Sequence, residues 1–170
     1  MLQKYIFLLV IVWLSGCKTE DFGFPDEPVI TFKSMEQYKL NGRDSAVVIE
    51  IDYTDGDGDI GLEAADSLAP FQFGGPYFYN LQITVWEVDN GISKPLLIPS
   101  TTDTINFNDR IKTLTPSGKN KAIYGTIKLN LNAKPYFSLS PDSMFYKIRI
   151  TDRKLHRSNE ISTPVKPFVF

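Results

Sequence analysis

No window of twelve or more residues in this chain repeats apolar side chains at helical spacing. Apolar and polar residues alternate instead in short runs closed by turn residues, and that pattern builds strands. The runs are Val29–Phe32, Ala46–Tyr53, Tyr77–Val88, Pro95–Ile98, Thr104–Phe107, Ala122–Leu131, Met144–Thr151 and Ile161–Val169. In the second, Val47, Ile49, Ile51 and Tyr53 share one face. In the third, Leu81, Ile83 and Val85 oppose Gln82, Thr84 and Trp86. Asp89-Asn90-Gly91 marks a hairpin turn, because Asn-Gly accepts positive φ. Pro164 and Pro167 confine the last run to an edge or an irregular strand. The chain therefore predicts an all-β fold, an immunoglobulin-like antiparallel β-sandwich of about seven strands over residues 29–170. A closed barrel is the structural alternative. Trp86 and most other aromatics are assigned to the core.

The N-terminus has a different character. Lys4 precedes an apolar run from Tyr5 to Trp13, and Leu14-Ser15-Gly16-Cys17 follows. About ten apolar residues are too few for a membrane span, which takes about 20. A basic start, a short apolar centre and small residues before a cleavage point define a secretory signal. The tetrapeptide resembles the lipobox of bacterial lipoproteins, which implies lipidation of Cys17 and loss of residues 1–16. A short transmembrane anchor is the alternative. Residues 17–28 are polar, carry Pro25 and Pro28 and read as a flexible tether. The acidic pair Glu20-Asp21 resembles a surface-export signal. The expected location is the outer membrane by lipid anchor, on the periplasmic face or at the cell surface.

Composition removes several chemistries. The net charge is −2, with 18 basic and 20 acidic residues, which argues against nucleic acid as a partner. One cysteine rules out an intrachain disulfide and multi-cysteine metal sites, and one histidine, His156, rules out zinc sites built on two or more histidines.

Asp55-Gly56-Asp57-Gly58-Asp59-Ile60-Gly61-Leu62 is the sharpest chemical motif. Carboxylates at alternate positions, separated by glycines, let a loop curl until its oxygens converge. Calcium takes six to eight oxygen ligands, and flexible carboxylate loops provide them. Two carboxylates about 5 Å apart repel by roughly 3 kcal/mol at a surface-like dielectric of 20. Three in one loop either spread into solvent or recruit a cation. Asp55, Asp57 and Asp59 match positions one, three and five of an EF-hand loop. Ile60 stands where that loop needs glycine, Asp66 falls at position twelve, and no flanking helices are readable. The motif therefore gathers oxygens as an EF-hand does without being one. A solvated turn and another cation remain alternatives. In a sandwich of this type the loop after the second strand and the loop before the last share one end. Asp152 would then face the acidic loop, and the expected calcium ligands are Asp55, Asp57, Asp59, Asp66 and Asp152. Arg153, Lys154 and Arg157 offer neutralisation by ion pairing as a competing account.

Several segments carry a resemblance in chain order: Tyr53 to Leu62, Arg110-Ile111 to Leu114-Thr115-Pro116, Gly125-Thr126-Ile127, Ile150 to Arg153, Ser158-Asn159 and Thr163-Pro164. Together they resemble an uncharacterised group of Bacteroidetes-type lipoproteins. The resemblance implies an extracytoplasmic immunoglobulin- or fibronectin-like domain and no known activity.

Phe71-Gln72-Phe73-Gly74-Gly75-Pro76-Tyr77 is dense in aromatics. Phe71, Phe73 and Tyr77 form a candidate platform for a glycan or protein ligand. The competing expectation tucks Phe71 and Phe73 beneath the loop, with Tyr77 and Tyr79 starting a strand. Catalysis finds little support. The carboxylates crowd a glycine-rich loop rather than an apolar pocket, and Ser158, His156 and Asp152 are too close in sequence to converge as a triad. The expected role is structural or binding: adhesion or ligand capture by a membrane-anchored lipoprotein with a calcium loop. The alternatives are a glycan-binding accessory module of a nutrient-uptake system and, from another class, a carboxylate-dependent glycan hydrolase.

Overall fold

A computed structural model describes residues 23–115, 122–136 and 138–170. The signal, Cys17 and the first half of the expected tether, through residue 22, lie outside the described residues. The strands are β1 (Val29–Leu40), β2 (Arg43–Asp55), β3 (Leu81–Asp89), β4 (Ile92–Pro95), β5 (Ile123–Asn132), β6 (Ser143–Ile150), β7 (Ile161–Ser162) and β8 (Lys166–Pro167). They form two antiparallel sheets, one ordered β1-β2-β5 and the other β4-β3-β6-β7, with β8 also pairing β6. First, second and fifth strands in one layer, with third, sixth and seventh in the other, is the immunoglobulin-like arrangement. The fourth strand here joins the second layer beside β3. The chain is an all-β sandwich.

Period-two alternation fills the space between the layers. Val47, Ile49 and Ile51 of β2 are fully buried, as are Val85, Met144, Tyr146, Ile148 and Ile150 from the facing sheet. Each such aliphatic side chain contributes about 1.5–3 kcal/mol by leaving water. Trp86 is not among them. It lies half-buried on the outer face of β3, where the Lys147 ammonium sits 3.8 Å from its ring centre.

The strands differ from their sequence reading in ways with local causes. β1 runs to Leu40, eight residues past Phe32, and closes a hairpin through Asn41 and Gly42, both at positive φ. Its alternation is hidden because register shifts at Phe32/Ser34 and Tyr38/Lys39 move side chains between faces. Asn90 and Gly91 make the expected turn between β3 and β4, again at positive φ. Tyr77–Tyr79 do not start β3; they lie in the loop before it. Residues 104–109 form no regular strand but bond to β3, through Val85 N–H to Ile105 C=O and Phe107 N–H to Ile83 C=O. The last run is broken into β7 and β8 around Pro164. The described end of the tether is seated on the domain. Pro25 C=O accepts the Gly56 N–H at 2.8 Å, and the Phe24 ring meets Tyr124 edge-on.

Candidate metal centre

The loop after β2 begins at the end of a buried strand, so Asp55 enters the site with no exposure to solvent. Its Oδ2 accepts the N–H groups of Asp59 at 2.8 Å and Ile60 at 3.1 Å, which curls the loop back on itself. Two glycines are required by close approach. A Cβ on Gly56 would lie 2.3 Å from Phe24 O, and one on Gly61 would lie 2.4 Å from Thr113 Cα. Gly61 also holds φ at +115°, which other residues rarely adopt. Opposite Gly61, Leu62 N–H bonds to Ile111 C=O and Leu114 N–H to Ile60 C=O. The buried Asn80 side chain grips the backbone N–H and C=O of Ile111.

The loop after β6 meets this structure from the other side. Asp152 is 1 % exposed, and its carboxylate takes the His156 N–H at 2.8 Å and contacts His156 Nδ1 at 2.9 Å. The guanidinium of Arg153 binds Asp66, the Gly61 C=O and the Thr113 hydroxyl, and its N–H bonds to Asp59 C=O. The two loops are thus strapped together. Asp55, Asp57, Asp59 and Asp152 converge, each offering a carboxylate oxygen within 4.8 Å of the others. Two ligands on opposite sides of a calcium ion, at about 2.4 Å each, lie about 4.8 Å apart. The four residues therefore have the spacing and hard-oxygen chemistry of a divalent-cation site.

Their electrostatics point the same way. Oδ1 of Asp55, Asp57 and Asp59 is buried and makes no hydrogen bond among the described residues. Orphaned buried carboxylate oxygens are expensive unless a cation or donor reaches them. Burial, then the Asp57 charge, raises the Asp55 carboxyl to about 7. Burial, then Asp152 and Asp57, raises Asp59 to about 6. Burial also raises Asp152, against the pull of His156. Among the described residues, the lysine in contact is Lys154, whose ammonium pairs with Asp57 Oδ2.

Other expected site residues fall elsewhere. Asp66 does not join the four carboxylates: it pairs with Arg153 at 3.0 Å and accepts the Glu63 N–H. It serves as a strap because Arg153 reaches it from the opposite loop. Phe73 is not tucked beneath its loop but 84 % exposed, edge-on to Phe78 at 5.1 Å. Phe71 and Tyr77 are half-buried, and Tyr79 is exposed. Arg110 causes this. Its guanidinium donates to the carbonyls of Glu63, Asp66, Phe71 and Phe78, so those groups bond a side chain instead of a strand, and it stacks 4.9 Å from the Phe78 ring. Ser158 Oγ accepts the Ile150 N–H and donates to Asn159 C=O, so its bonds go to backbone rather than to His156. Arg110, Asn80 and Arg153 carry the site's architecture. The sequence offered only Arg153 for the site, as an ion-pair partner of the loop aspartates, and local spacing gives none of these contacts, because the partners lie 31 to 92 residues away.

Comparison with protein-family models, with curated proteins and with solved structures yields no match.

Proposed function

We propose that this chain is a lipid-anchored extracytoplasmic binding or structural module, without catalytic activity, whose membrane-proximal end is locked by calcium. The observation that carries the reading is the fully buried Asp55 carboxylate, with one oxygen unpartnered, set among three more carboxylates from two different loops. Asp55, Asp57, Asp59 and Asp152 would hold the ion, with further oxygens coming from backbone or water. The ion's role is charge neutralisation and cross-linking: it joins the loop after β2 to the loop after β6. The Phe24–Pro25 segment, through which a lipid tether on Cys17 enters the domain, packs on that same loop. An ion there stiffens the angle between membrane and domain. The lipobox-like Leu14–Cys17 and the resemblance to Bacteroidetes-type lipoproteins support the outer-membrane setting.

Extracellular calcium modules work at dissociation constants of about 10⁻⁴–10⁻³ M. At ten times that constant, calcium stabilises the native state by about 1.4 kcal/mol. For a domain of this size that is a rise of about 3–6 °C in melting midpoint over the chelated protein. An unchanged midpoint at about 10 mM calcium, ten times the weakest of those constants, refutes the calcium reading, and a magnesium control separates a calcium-sized cage from general screening.

Capture of a glycan or protein by the aromatic loop is the second reading. Its support is the 84 % exposure of Phe73, held beside Phe78 and Tyr79. Retention of the protein on a glycan column, lost in F73A, is the expected result; equal retention of both proteins removes this loop from consideration.

A further inference from the structure

The four carboxylates are not left without a counter-charge. Lys154 lies two residues after Asp152, on the same loop, and its ammonium contacts Asp57 Oδ2. Asp57 is the rim of the cage: its side chain is 12 % exposed, whereas that of Asp152 is fully buried. The lysine side chain is half-exposed and its ammonium pairs with this carboxylate. Its neighbour Arg153 behaves differently, turning away to Asp66, Gly61 C=O and the Thr113 hydroxyl. One of two adjacent cations therefore holds the loops together, and the other pairs with Asp57 at the rim.

The ammonium contacts Asp57 Oδ2, and among the described residues the buried Oδ1 atoms of Asp55, Asp57 and Asp59 have no hydrogen-bond partner. A divalent ion reaching them also needs Asp57, and a monovalent and a divalent cation sharing one carboxylate repel each other strongly at that range. A lysine is a compact point charge on a flexible four-carbon stem, so it can swing into water without moving the backbone. Resting on the calcium reading above, we propose that Lys154 is the resident counter-ion of the site, that calcium enters by displacing its ammonium from Asp57, and that this exchange sets the calcium threshold. Lysine and calcium are then negatively coupled ligands of one cage. In the metal-free state the lysine relieves carboxylate repulsion; in the loaded state it competes. Arg153 keeps both loops in place through the exchange, so the site is preorganised.

Calorimetric titration of calcium chloride into the parent, K154M and K154R at fixed ionic strength tests this. K154M is expected to bind calcium about five- to tenfold more tightly than the parent, within the ordinary range of coupling between two ligands. K154R keeps the charge and is expected to stay close to the parent. Melting gives a second readout that a merely structural lysine would not produce. In chelator K154M melts below the parent, and at saturating calcium the order reverses. Equal calcium affinities for parent and K154M overturn the exchange while leaving the calcium site standing. Failure of both proteins to bind calcium overturns the calcium reading and this proposal with it.

Discussion

At the scale of single residues, Asp55 concentrates the physics of this protein. One of its oxygens shapes the loop through two backbone N–H groups, and the other is buried with no partner. D55N keeps an acceptor for the loop and removes a charge from the cage. In chelator its melting midpoint is expected at or above that of the parent, and the calcium-induced rise is expected to vanish; a rise of parental size in D55N excludes Asp55 as a ligand. The same residue gives the metal-free protein a pH dependence. Asp55 at about 7 and Asp59 at about 6 hold protons more tightly when folded than when unfolded. That proton-linked stability is complete below about pH 4, the unfolded carboxyl value, and is lost as pH rises through 6 and 7. Calcium needs the ionised forms, so its binding weakens as pH falls through the same window. Thermal melts in chelator are expected to fall between pH 5 and pH 8, with a shallower slope in D55N. A parental slope in D55N assigns the dependence to other groups.

At the scale of elements, the strands and the loops followed different rules. β2 and β6 were legible because one face is buried without interruption, so apolar residues recur every second position. β1 was legible only to Phe32, since its two register shifts break that recurrence. The long loop between β2 and β3 was least legible. Its shape depends on Arg110, which satisfies carbonyls up to 47 residues away. R110A leaves those carbonyls without their charged donor and is expected to lower stability by about 2 kcal/mol in urea unfolding. R110K should recover only part, because an ammonium lacks the planar fork that reaches several carbonyls at once. A loss under about 0.5 kcal/mol would show that solvent replaces the guanidinium freely.

At the scale of the whole molecule, the sandwich brings its chemistry to one end. The loops after β2 and β6 meet there, and the segment leading from the N-terminal region packs onto the first of them. Anchoring is tested on the mature chain: mass spectrometry is expected to find an acylated Cys17 as its first residue, and a retained Met1 or bare cysteine contradicts the anchor. Sequence by itself determined the all-β class, the Asn90-Gly91 turn and the gathering of Asp55, Asp57 and Asp59, because each follows from the period of neighbouring residues along one strand or loop. It also gave reason to expect Asp152 opposite them, since sandwich topology places those loops together. Tertiary structure alone decided that Asp66 pairs with Arg153 instead of joining the cage, that Phe73 points outward, and that Lys154, expected from the sequence as an ion-pair partner of Asp55, Asp57 or Asp59, takes Asp57. Those outcomes rest on partners 87 and 97 residues apart, or on a loop shaped by a distant arginine. Local periodicity carries no information about such contacts: which charge reaches which is settled only when the two sheets pack.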